Sequence, residues 1–134
     1  MAQLSSKADI VSFVQEQGYT TQDKDPLLIL QDEDGLTIFA VIDDSQVEFM
    51  VDLCGVGDLD EGNLEEIYER ILDQNTEILP CCFGIDSDDS NDKRIVLVDS
   101  LATENLDDNE LLLALDSLAV NVITAHDLLS PHIK

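Results

Sequence analysis

Tryptophan is absent, and only four Phe and two Tyr occur in 134 residues, so the core must be built from aliphatic side chains. Cations are as scarce. Six Lys and Arg against thirty Asp and Glu leave a formal net charge of −24. On Coulomb grounds this disfavours nucleic-acid phosphates and anionic membrane surfaces, and it favours a partner with basic segments. The cysteines are Cys54, Cys81 and Cys82, an odd number with two adjacent. That is no disulfide framework, and reduced buried thiols are the ordinary reading. No consecutive apolar run approaches the ~18 residues of a membrane span, and Met1 to Lys7 has neither a basic nor an apolar leader region, which reads as a cytoplasmic chain. Gly-x-Ser-x-Gly, Gly-x-Gly-x-x-Gly and the phosphate loop with its Lys are all missing, so no standard nucleophile or nucleotide motif is available and no cofactor is expected.

The 44% of hydrophobic residues is ample for one domain spanning residues 1–134. Residues 105–129 dominate the pattern. Leu111, Leu115, Leu118, Val122, Ala125 and Leu129 alternate in steps of four and three, which lays them along one helical stripe, and Leu112, Ala119 and Ile123 widen it. Asn105 is placed to cap this helix, with Asp107, Asp108 and Glu110 at its positive end, and Pro131 stops it. Near the other terminus, Ser6 and Asp9 form a capping pair ahead of Ile10, Val11, Phe13 and Val14, and Gly18 ends that short helix. A third helix runs from a cap at Asn63 and Glu66 through Leu64, Ile67, Tyr68, Ile71 and Leu72 to about Asn75.

After the first helix the helical period is lost. Leu27 to Glu33 and Leu36 to Ile42 flank Asp34-Gly35, a hairpin signal whose two central positions both call for positive φ. Asp43 to Gln46 turns into a strand over Val47 to Cys54, and Leu79 to Ile85 and Arg94 to Val98 read as two more. The predicted class is α+β, in the order α-β-β-β-α-β-β-α, with a five-stranded antiparallel sheet packed by helices and a long C-terminal helix.

This order, the acidity and the long last helix resemble the type III secretion chaperone-like fold. The run Cys82-Phe83-Gly84-Ile85-Asp86, the acidic loop after it, an apolar strand and a Leu-rich helix resemble the bacterial YjfI-like family. The first resemblance implies a small acidic cytosolic protein, commonly a dimer, that binds other polypeptides without hydrolysing anything. The second implies a bacterial setting shared with phage-shock-type membrane-stress proteins.

Candidate sites are few. Asp86, Asp88 and Ser90 match the first, third and fifth positions of a calcium loop, but Asn91 stands where Gly is wanted, Leu97 where Glu is wanted, and strands flank the loop. His126 and His132 are six apart and do not share a helical face, so no zinc set forms and no metal site is expected. What remains is surplus apolar surface. Leu36, Ile38, Ala40 and Ile42 alternate with Phe39 and Val41, so both faces of that strand ask for cover, and Leu113, Val120 and Leu128 lie off the main helical stripe.

The reading is a non-enzymatic, acidic, chaperone-like homodimer that captures a basic or amphipathic protein partner, with no nucleic-acid binding and no membrane insertion. Phe39, Val41, Phe49 and Met50 on the sheet and Leu113 and Val120 on the last helix are the expected partner contacts. One alternative is a metal-dependent or thiol-based enzyme or regulator using the Asp86 loop, Cys81 or His126. Another is a nucleic-acid mimic acting by negative charge alone. Self-repulsion at −24 predicts that Tm rises between about 10 and 150 mM salt, as screening shortens the Debye length, whereas a flat Tm would contradict it.

Overall fold

The structure is a computed structural model and describes residues 4 and 6–134. In chain order the elements are α1 (Lys7–Glu16), β1 (Thr20–Lys24), β2 (Leu27–Gln31), β3 (Thr37–Ile42), β4 (Gln46–Gly55), α2 (Leu64–Gln74), β5 (Cys82–Asp86), β6 (Arg94–Ala102) and α3 (Asp108–Leu129). Short 3-10 turns lie at Val56–Asp58, Glu61–Asn63 and Ser130–His132. The α+β class, the antiparallel sheet packed by helices and the long C-terminal helix are as expected. The sheet has six strands rather than five, in the order β1-β2-β3-β4-β6-β5. The additional strand, β1, is Thr-Thr-Gln-Asp-Lys and carries no apolar alternation to betray it. It exists through pairing, with every residue opposite one of β2 from Thr20 and Gln31 to Lys24 and Leu27.

The chain divides into two compact units: residues up to Met50 with Asp99–Asp116, and Val51–Val98 with Ser117–Lys134. In the first, Ser6 Oγ accepts from Asp9 N at 3.2 Å and so caps α1 as expected. Gly18 then adopts φ +98°, while Tyr19 N donates to Val14 O at 3.1 Å, and this closes the helix. The β2–β3 turn is longer than the expected two residues. Asp32 Oδ1 accepts from both Asp34 N (2.9 Å) and Leu36 N (2.8 Å), and only Gly35 has positive φ. The carboxylate thus takes the Leu36 N–H, which a two-residue turn would have paired across the strands with Glu33, and the Asp34 N–H within the turn.

In the second unit α2 buries Ile67 and Ile71, but Leu72, expected on the same face, is 68% exposed. Asn63 does not cap α2, because its amide donates instead to Asp60 Oδ2 at 2.8 Å. β5 starts at Cys82 rather than Leu79, after Pro80, which has no N–H for a ladder. Its edge is partly closed by Asn75 Oδ1, which accepts from Phe83 N at 2.7 Å.

α3 begins with Asp107 rather than Asn105 as its acceptor, since Asp107 Oδ1 takes Glu110 N at 2.8 Å. Asn105 sits at φ +59°, a left-handed conformation that Asn tolerates. Its buried stripe supplies Leu111, Ala114 and Leu115 to the first unit and Leu118, Val122, Ala125 and Leu129 to the second, while Ile123, expected to extend the stripe, points into solvent.

Asp108–His132 is long and apolar enough, by length and composition, to cross a membrane, although no consecutive apolar run is. Its acids are widely spaced, so the mean hydropathy along the helix stays high, whereas each acid breaks a consecutive run. Its stripe is nevertheless packed as core, with Leu111, Leu115, Leu118 and Ala125 wholly buried.

Six large side chains from residues 106–129, Leu106, Leu111, Leu115, Leu118, Val122 and Leu129, are buried. At about 1.5–3 kcal/mol each they contribute as much as the ~5–15 kcal/mol net stability of a typical domain. A fragment of residues 1–104 is therefore expected to show no cooperative thermal transition by circular dichroism. A sharp melt in that fragment would refute this account of the core.

Candidate functional site

Strand alternation sorts the first unit's apolar residues onto two faces. Leu28, Leu30, Ile38, Ala40, Val47 and Phe49 are buried and belong to the core. The residues between them form two rows across the sheet. Register places Gln22, Ile29, Phe39 and Met50 side by side, and Lys24, Leu27, Val41 and Glu48 side by side two residues further on. Leu27, Ile29, Phe39 and Met50 are half-buried and Val41 is 38% exposed. Apolar side chains of three neighbouring strands thus form one strip. It ends on Lys24 and Gln22 at one side, on Glu48 at the other, and is bordered along the strands by Gln31 and Thr37.

Of the six expected contacts, Phe39, Val41 and Met50 lie together on this strip. Phe49 does not. It is 1% exposed and pairs with Ala40 on the core face, because neighbours on a strand point to opposite sides and Phe49 cannot accompany Met50. Leu113 and Val120 are 60% and 65% exposed on α3. Leu27 and Ile29 belong to the strip but were not anticipated. The reason is that the run Leu27-Leu28-Ile29-Leu30 has no polar residue to show which members face outward.

The acidic stretches are occupied with the backbone. Asp86 Oδ1 accepts from Asp88 N and Asp89 Oδ1 from Asn91 N, both at 3.0 Å. Asp43 Oδ1 takes Ser45 N, Ser45 Oγ and Gln46 N at 2.8–2.9 Å, and these bonds hold its pKa below the ordinary carboxylate value. Lys7 Nζ is 2.8 Å from Asp23 and 3.6 Å from Asp25, and Arg94 grips both oxygens of Asp52 at 3.0 Å. Among the described residues no group of three or more His, Cys, Asp or Glu could hold a metal ion. Cys81 is buried and its thiol donates to Ile78 O at 3.1 Å, while Asn121 Nδ2 donates to the same carbonyl and to Cys81 Sγ. Burial, then the nearby Asp58 charge, push the Cys54 thiol up, away from the thiolate that a nucleophile needs.

The CesT_Tir_1 family matches residues 5–131. Among curated proteins nothing matches. Among solved structures the fold is similar to the crystal structure of YbjN, a candidate transcription regulator from E. coli. The TM-score is 0.66 at 16% identity, with 96% of this chain and 98% of that one covered. At that identity the likeness is one of fold.

Asp99 is a carboxylate whose setting opposes its charge. Its Oδ2 is buried and meets no hydrogen-bond partner among the described residues, while Oδ1 accepts from Ser100 N at 2.8 Å. Burial raises its pKa, with the Ser100 bond pulling the other way. An acid raised on folding costs stability when ionised, so the fold gains stability as pH falls through the folded pKa toward the unfolded value of about 3.9. Asp99→Asn is expected to raise Tm at neutral pH and to converge with the parent protein on acidification. A lower Tm at neutral pH would refute this assignment.

Proposed function

The chain belongs to the CesT_Tir_1 family, a type III secretion chaperone-like family, and from that membership we propose that it acts as a homodimer capturing a basic or amphipathic polypeptide. The observation that carries the reading is an apolar strip, Leu27, Ile29, Phe39, Val41 and Met50, left part-exposed on a chain of net charge −24. Such a surface attracts cations at long range and holds apolar side chains on contact, which separates encounter from retention. Leu113 and Val120 on α3 offer further apolar contact and support self-association through that helix. Nothing in this reading requires bond-breaking chemistry.

The envelope-stress setting is part of the proposal and is supported by the resemblance of Phe83-Gly84-Ile85-Asp86 and the segments after it to the YjfI-like family. A regulatory role of the kind named for YbjN is compatible with it through a protein partner, since the charge opposes contact with phosphates.

Light scattering of the free protein should give a mass near twice 14.8 kDa. Affinity capture from the native cell at about 50 and 500 mM salt should retain the same polypeptide at both, because apolar contact survives screening. A monomer would refute the dimer, and loss of all captured material at high salt would favour the charge mimic.

A further inference from the structure

We infer that the apolar strip on the first unit's sheet is a seat for an amphipathic basic helix, rather than for an extended segment or a second copy of this chain. This rests on the capture reading above and adds the place and the conformation of what is captured.

The strip presents side chains, not backbone. Ile29 and Phe39 sit on strands paired along both edges, so their main-chain groups are committed to the ladders. An extended peptide lying flat on the strip would bury its own N–H and C=O groups against Leu27, Val41 and Met50 without partners, at a cost of roughly 1–3 kcal/mol for each unmatched group. A helix arrives with its backbone bonds already made. The dimensions agree. Three strands about 4.8 Å apart and two rows about 6.7 Å apart make a patch of roughly 10 by 7 Å, the footprint of i, i+3, i+4 and i+7 side chains over two helical turns.

Charge selects among helices. The first unit carries sixteen carboxylates and two lysines. Lys7 is engaged by Asp23 and Asp25. A second copy would bring the same sixteen carboxylates to the face, whereas a helix with Lys or Arg flanking its apolar stripe meets Glu48 at one end of the strip and the unit's excess of carboxylates at longer range, with a neutral or acidic residue suited to Lys24 at the other end. The dimer proposed above uses α3 and leaves this face to the partner.

The test uses the full chain and two synthetic peptides of about four helical turns, one with Leu at i, i+3, i+4 and i+7 on a Lys background, the other a scramble of identical composition. At about 150 mM salt the patterned peptide should bind at least roughly tenfold tighter than the scramble and gain helical circular dichroism on binding. Val41→Lys and Met50→Lys should each abolish that preference, while Leu72→Lys, at an exposed position on α2 with the same change in charge, should not. In the unsubstituted protein the Met50 methyl resonance should shift on titration with the patterned peptide, a readout independent of variant stability. Equal binding of both peptides would overturn the proposal in favour of charge alone. Tight patterned binding that survives Val41→Lys and Met50→Lys, with the Met50 methyl of the unsubstituted protein unmoved, would overturn the site and keep capture. No binding of either peptide would overturn capture itself.

Discussion

Strand alternation is the constraint on which the rest of this structure depends. A strand has only two faces, and successive side chains must take opposite ones. β2 and β3 offer apolar residues at nearly every position, from Leu27 to Leu30 and from Ile38 to Ile42. Half of them satisfy the core and the other half have nowhere to go but outward. The part-exposed strip is therefore a consequence of composition as much as of shape. A protein selected for solubility alone would have placed Thr, Lys or Glu at Ile29, Phe39 and Val41, as β1 does at Thr20, Gln22 and Lys24 on the same face.

The carboxylates have two tasks that composition alone would merge. Asp32, Asp43, Asp60, Asp86, Asp89 and Asp107 each accept a backbone N–H at a turn or helix start. They shape the chain where glycines and prolines are few. The charge left over sets the long-range field, and two of the six cations, Lys7 and Arg94, are held by Asp23, Asp25 and Asp52. A sheet face that is greasy at short range and negative at long range suits a chaperone-like family, in which the bound chain is held without being changed. Asp99 stands apart, as a carboxylate whose burial works against it.

How much of this was legible depended on whether the signal was local. The three helices were recognisable because a 3.6-residue period and a capping residue act within a few positions, as at Ser6 with Asp9 and along Leu111 to Leu129. The strand over Gln46–Gly55 was legible from alternation, and that over Thr37–Ile42 from a β-rich run following Asp34-Gly35. β1 was not, because its reason for being a strand lies in β2. The β2–β3 turn was misjudged for a similar reason, since Asp34-Gly35 is a strong pair in isolation and Asp32, three residues before Gly35, reorganises the backbone donors.

The candidate site shows the same division. That apolar surface would be left over could be foreseen from residue counts and from the two-faced run around Phe39 and Val41. Which residues carry it could not, because facing is a matter of register. Phe49 and Met50 are neighbours of similar hydrophobicity, and only the pairing of Phe49 with Ala40 and Met50 with Phe39 sends one to the core and the other to the strip. Composition and periodicity thus settle the helices, five of the six strands and the charge of this protein, since both act over a few bonds or over the whole chain. Assignment of each side chain to core or surface waits for partners distant in sequence, because hydrogen-bond register and burial are properties of pairs of segments and not of either alone.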